Sequence, residues 1–174
     1  LAQLRGAGIL RVAGFAAFDG GAGRLPNVRR GIEVQSISLA AQRRTPDHIA
    51  KLHVLLDGMW DARYDLPLYS ELDAQLHLQF AAASQNQMIY YFVDSLGDAL
   101  RQVSLAGLQH RRNRAELDEV HEIHKQLVGA VVTQNSTLAE SAMALHVESA
   151  MVALRRTGED VMMSGTSTDT ATSL

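Results

Sequence analysis

Residues 115–156 read AELDEVHEIHKQLVGAVVTQNSTLAESAMALHVESAMVALRR, two long stretches with a polar break at Asn135-Ser136. His124, Leu127, Val128 and Val131 recur at helical spacing in the first stretch, which predicts a helix over 115–134. The second predicts a helix from Ser136 to about Arg156. So short a turn makes the two an antiparallel pair. His124 lies 11 residues before Asn135 and His146 lies 11 after it. At a rise of about 1.5 Å per residue, both imidazoles then stand at one height, roughly 16 Å from the turn.

Upstream, Asp73 and His77 sit at i and i+4, where one helix face presents both side chains. They are interleaved with Leu72, Leu76 and Phe80, so that face lies close to the buried one. A carboxylate near a core requires a cation or strong hydrogen bonds. Asp73, His77, His124 and His146 therefore form a candidate mononuclear metal site drawn from three helices, with coordination positions left over. His121 is a near neighbour, but His121-Glu122-Ile123-His124 is one residue short of the zinc-protease spacing, so it is expected at the rim. A di-iron bundle is disfavoured, because neither His77 nor His146 follows a glutamate by three. His48, His53 and His110 have no partner at useful spacing.

The rest of 26–156 is helical in pattern. A first helix is expected at about 27–44, with Ile32, Ile37, Leu39, Ala40 and Ala41 inward. Thr45-Pro46-Asp47 starts a second, carrying Ile49, Leu52, Leu55, Leu56, Met59 and Trp60. A third begins near 68–70, and Asn86 caps a fourth through Leu108. The expected fold is an all-α antiparallel bundle of six to seven helices over 27–157. Before it, Ile9-Leu10-Arg11-Val12 and Phe15-Ala16-Ala17-Phe18 read as a small β-hairpin within 1–18. A glycine-rich linker follows at 19–26. Residues 158–174, rich in Ser and Thr, are expected as a disordered tail, with Val161-Met162-Met163 as a short helical extension.

Composition narrows the class. The chain has 174 residues, 47 % hydrophobic and 20 % charged, with net charge −3 and no cysteine. That balance gives no global basic field for nucleic acid and excludes disulfides and thiolate metal sites. No apolar run reaches the roughly 18 residues of a membrane span, and a cytoplasmic protein is expected.

Several blocks carry a family resemblance. Val28-Arg29-Arg30-Gly31-Ile32-Glu33 with Leu39-Ala40-Ala41-Gln42-Arg43 resembles the opening helix of the ligand-binding domain in FadR-like regulators of the GntR superfamily. Asp73-Ala74-Gln75-Leu76-His77 is similar to that family's Asp-x-x-Phe-His signature, with leucine for phenylalanine. Ala81-Ala82-Ala83-Ser84-Gln85-Asn86, then His124 with Leu127, Ala130 and Val131, then Met143-Ala144-Leu145-His146 follow in order, so the resemblance covers about 28–156.

The resemblance implies a metabolite-responsive transcriptional regulator that is not an enzyme. Its four ligands would hold a divalent ion, zinc first, with nickel, manganese or iron(II) as alternatives. A small organic acid or sugar acid would bind there, anchored by Arg29, with Arg30, Arg43 and Asn86 as further candidates. Residues 1–18 would be the end of a winged-helix domain, with Arg5 and Arg11 as candidate DNA contacts. The partners implied are operator DNA and a second copy of the chain. The competing reading is a mononuclear metal hydrolase or lyase, for which Glu122 is the one nearby candidate base.

Overall fold

The computed structural model describes residues 25–165, all in helices and short turns. Seven helices follow one another: α1 Leu25–Arg43, α2 Pro46–Asp61, α3 Leu66–Ala83, α4 Gln87–Ser95, α5 Gly97–Gln109, α6 Arg114–Val132 and α7 Ser136–Gly165. No strand occurs among the described residues. The β-hairpin expected within 1–18 lies outside them, as do most of the linker at 19–26 and residues 166–174 of the expected tail. No described helix is long and apolar enough to cross a membrane.

Local chemistry sets most boundaries. The Thr45 hydroxyl accepts from the His48 N–H at 3.3 Å, and His48 Nδ1 accepts from the Thr45 N–H at 3.1 Å. This reciprocal cap, with Pro46 in the first turn, gives His48 a structural role. Asp65 caps α3 through the Leu68 N–H at 3.2 Å. Asn113 caps α6 through the Glu116 N–H at 3.1 Å.

Two elements depart from expectation. The helix expected from Asn86 to Leu108 breaks at Leu96, whose ψ of −1° and N–H bond to the Val93 carbonyl tighten the turn. Gly97 follows, a residue whose backbone freedom disfavours a helix interior. The last helix passes its expected end near Arg156 and reaches Gly165. Arg155 to Gly165 contains no proline, and extending a formed helix needs no new nucleus.

α3 packs against α1, α2, α4 and α5, while α7 packs against α1, α5 and α6. Ile37, Ala40 and Ala41 of α1 meet Leu76 and Phe80 of α3, Leu127 and Val131 of α6, and Met143 and Val147 of α7 in one buried cluster. Ile32 and Leu39, expected inward, are only half-buried. Trp60 is 43 % exposed, and its ring is covered by the Arg63 guanidinium at 3.8 Å. Truncating Leu76 to alanine would remove about 2–5 kcal/mol, and it lies beside His77.

Candidate metal centre

Because α3 is enclosed, Asp73 and His77 face inward together with Leu76 and Phe80. The α6–α7 turn brings the other two histidines to meet them. Gln134 turns left-handed there at φ 57°, the Asn135 N–H returns to the Ala130 carbonyl, and the Asn135 side chain caps Leu138 at 3.0 Å. The His124 and His146 ring centres are then 4.8 Å apart.

Asp73, His77, His124 and His146 are all buried, and each offers one ligand atom within 4.8 Å of the other three. Asp73 Oδ1 is 2.8 Å from His124 Nε2 and 3.6 Å from His77 Nε2. His77 Nε2 is 3.1 Å from His146 Nε2. Two ligand atoms about 2.0–2.2 Å from one ion stand roughly 3 Å apart when adjacent on it, so these separations suit a shared cation. Direction agrees with distance. Asp73 Oδ1 and His124 Nε2 are close yet misaligned for hydrogen bonding, and neither has another partner. Two buried polar atoms left in that state are costly without an ion.

Surrounding groups hold the donors ready. The Val120 carbonyl is 2.8 Å from His124 Nδ1. A carbonyl only accepts, so Nδ1 carries the hydrogen and Nε2 presents its lone pair to the cluster. The Tyr69 hydroxyl lies 3.1 Å from the same Nδ1, and burial, then the Asp73 charge, pushes its pKa up so that it stays protonated. Burial pushes the Asp73 carboxyl up, but the imidazoles packed against it, His124 foremost, outweigh burial and keep the group ionised far below the usual carboxylate range. Burial above all keeps His146 neutral, with its pKa well below the ordinary imidazole value. The donor set thus fits a divalent ion.

Arg29 is the one expected effector residue that reaches the cluster. It lines a cavity of about 40 Å³ together with Asp73, His124 and His146, and its Nη1 is buried without a partner. Arg30 is exposed. Arg43, some 21 Å further along α1 than Arg29, donates to the Ser84 carbonyl at 3.1 Å, tying two helix ends together. Asn86 caps α4 by accepting from the Met88 and Ile89 N–H groups at 3.1 and 3.3 Å. Each of these last two side chains is occupied by helix ends. Arg5 and Arg11 lie outside the described residues.

His121, expected beside the ligands or solvated, is buried behind them, packed against Trp60 at 5.1 Å and Tyr69 at 6.4 Å between ring centres, and it is not among the converging ligands. Glu122 is exposed and pairs with Lys125 at 2.7 Å, so it supplies no base at the cluster. Two groups went unrecognised in the sequence. Glu33 is buried, accepts from Arg29 Nε at 3.1 Å and stands 3.5 Å from His77 Nδ1. Tyr69 is the other. An acidic residue four after Arg29 was a legible signal for Glu33, since that spacing favours an ion pair.

Comparisons with known proteins agree with this architecture. Residues 25–149 match the FCD domain. The HTH-type transcriptional regulator LutR of Bacillus subtilis (strain 168) is 27 % identical over 130 residues, 71 % of this chain and 58 % of LutR. Among solved structures, Streptococcus agalactiae GntR superposes with a TM-score of 0.62 at 21 % identity, over 75 % of this chain and 57 % of that one. E. coli McbR/YncC gives 0.63 at 18 %, over 76 % and 63 %. At those identities the two structures establish a shared fold. The chain spans less than two thirds of the length of each of the three. LutR is named as a transcriptional regulator, and Glu122, the candidate base of the hydrolase or lyase alternative, lies outside the cluster. The chain belongs to the FCD domain family.

Proposed function

We propose that this chain is the sensing part of a DNA-binding regulator, with one divalent ion on Asp73, His77, His124 and His146 and a small carboxylate metabolite beside it. The observation that carries the reading is the convergence of four buried ligand atoms within 4.8 Å. Nitrogen and oxygen donors without sulfur suit zinc, nickel, manganese or iron(II). When bound, the ion supplies a Lewis-acidic point for one oxygen of a carboxylate.

The chain's own residues do the rest. Val120 fixes the His124 tautomer, and Glu33 faces His77 from α1. Arg29 offers an unpartnered Nη1 to a second oxygen, in the paired geometry that guanidinium and carboxylate favour. As Arg29 turns to an effector, its hold on Glu33 weakens and α1 shifts against α3. α1 is the first helix of the domain. In a dimer its shift would alter the spacing of two winged helices, which must match operator half-sites. The regulator's DNA, its dimeric state and its effector all belong to this proposal.

The test is operator binding by the full-length regulator, with and without a panel of small organic acids, alongside metal analysis. A change in operator affinity that requires both metal and acid supports the reading. Acid-dependent binding that survives removal of the metal overturns it.

A further inference from the structure

A second guanidinium faces the cavity beside the ligands. Arg111, on the turn between α5 and α6, lines the same space as Arg29, and its Nε is buried with no hydrogen-bond partner among the described residues. The turn fixes its backbone. The Arg111 main-chain N–H donates to the Leu108 carbonyl at 3.0 Å, and the neighbouring His110 Nδ1 bonds the Ala106 carbonyl at 2.8 Å. The next residue goes the opposite way: Arg112 is exposed and pairs with Glu116 at 2.7 Å. Of two adjacent arginines, the one with a carboxylate lies outside and the one without lies against the cavity.

An arginine cannot neutralise itself by releasing a proton, so a partly buried guanidinium calls for an anion. The local charge points the same way. Coordinating imidazoles are neutral, so a divalent ion beside Asp73 leaves one positive charge uncompensated. Arg29 and Glu33 cancel each other, and Arg111 adds a second positive charge. A ligand with one carboxylate would leave the cavity still cationic.

We propose that the effector carries two anionic groups, the first at the ligand cluster with Arg29 and the second on Arg111. This deepens the sensing reading above and rests on it. The two guanidiniums that line the cavity end flexible side chains, which can swing to meet the two carboxylates of a four-carbon diacid as it enters.

The experiment is calorimetric binding to the Zn²⁺-reconstituted chain, using acids matched in length: butyrate against succinate, valerate against glutarate, and their hydroxylated forms. Wild type is compared with Arg111→Met, which keeps the apolar stem and deletes the charge, and with Arg111→Lys, which keeps a charge. Dicarboxylates should bind wild type at least about tenfold more tightly than their partners, one uncompensated charge–carboxylate contact. Arg111→Met should reduce that ratio to within about threefold while metal content and monocarboxylate binding hold. Arg111→Lys should keep part of it. Equal binding of both kinds to wild type, or a preference that survives Arg111→Met, overturns the diacid proposal alone. Binding of neither kind overturns the sensing reading with it. Should Arg111→Met lose metal, the wild-type ratio and Arg111→Lys still decide.

Discussion

Glu33 has Arg29 on one side at 3.1 Å and His77 on the other at 3.5 Å, all largely buried. A carboxylate behind a ligating imidazole orients the ring and raises its basicity, and losing such a group weakens metal binding about tenfold to a hundredfold. Glu33→Gln should therefore lower metal affinity by that factor with the helical content unchanged, as competition with a chelator would report. Unchanged affinity would remove Glu33 from the centre. Protons act on the same residues. The folded pKa of His146 lies below its unfolded value, so below about pH 6.5 the unfolded chain takes up a proton that the folded chain refuses. The metal-free protein should then lose stability as pH falls from 7.5 to 5.5, by up to about 1.4 kcal/mol per pH unit from this residue. Asp73 acts lower on the scale: its depressed pKa contributes stability above about pH 4 that is lost on further acidification. Urea midpoints measured across the range would show the trend. A midpoint equal or higher at pH 5.5 would contradict it.

At the scale of elements, the α6–α7 hairpin decides where the histidines meet. Gln134 holds φ 57° and is exposed, a conformation that suits glycine better than glutamine. Gln134→Gly should stabilise the domain by about 0.5–1 kcal/mol, read as a rise in the denaturation midpoint, and a fall would mean its side chain has an unseen role. The symmetric spacing of His124 and His146 about Asn135 was legible because α-helical rise and a short turn leave one arrangement. The face of α3 was legible for a similar reason, since Asp73 and His77 alternate with large apolar side chains. The Leu96 break was less so, because one glycine within a helical pattern is weak punctuation. The partial exposure of Trp60 was not legible, because it depends on a cation stacked on its ring, which comes from packing. Arg43 and Arg111 could not be sorted from sequence. Both are arginines beside helix ends, and only packing sends one to a carbonyl and the other to the cavity.

At the scale of the molecule, four helices bring their side chains to one centre. Asp73, His77, His124 and His146 rise from α3, α6 and α7, while Arg29 and Glu33 belong to α1, the first of the described helices, which joins the same core through Ile37, Ala40 and Ala41. An effector that engages the cluster and Arg29 together thus bears on α1 and on the three helices that carry the ligands at once. That route is closed if the four ligands do not share an ion. Metal analysis of the purified, reconstituted chain by mass spectrometry, for wild type, His124→Ala and His146→Ala, tests this most directly. About one divalent ion per chain is expected for wild type and under about a tenth of that for either variant, with both variants still helical, since losing one of only four protein ligands sharply weakens the hold on the ion. Full metal content in both variants, or none in the wild type after reconstitution, would contradict the shared centre.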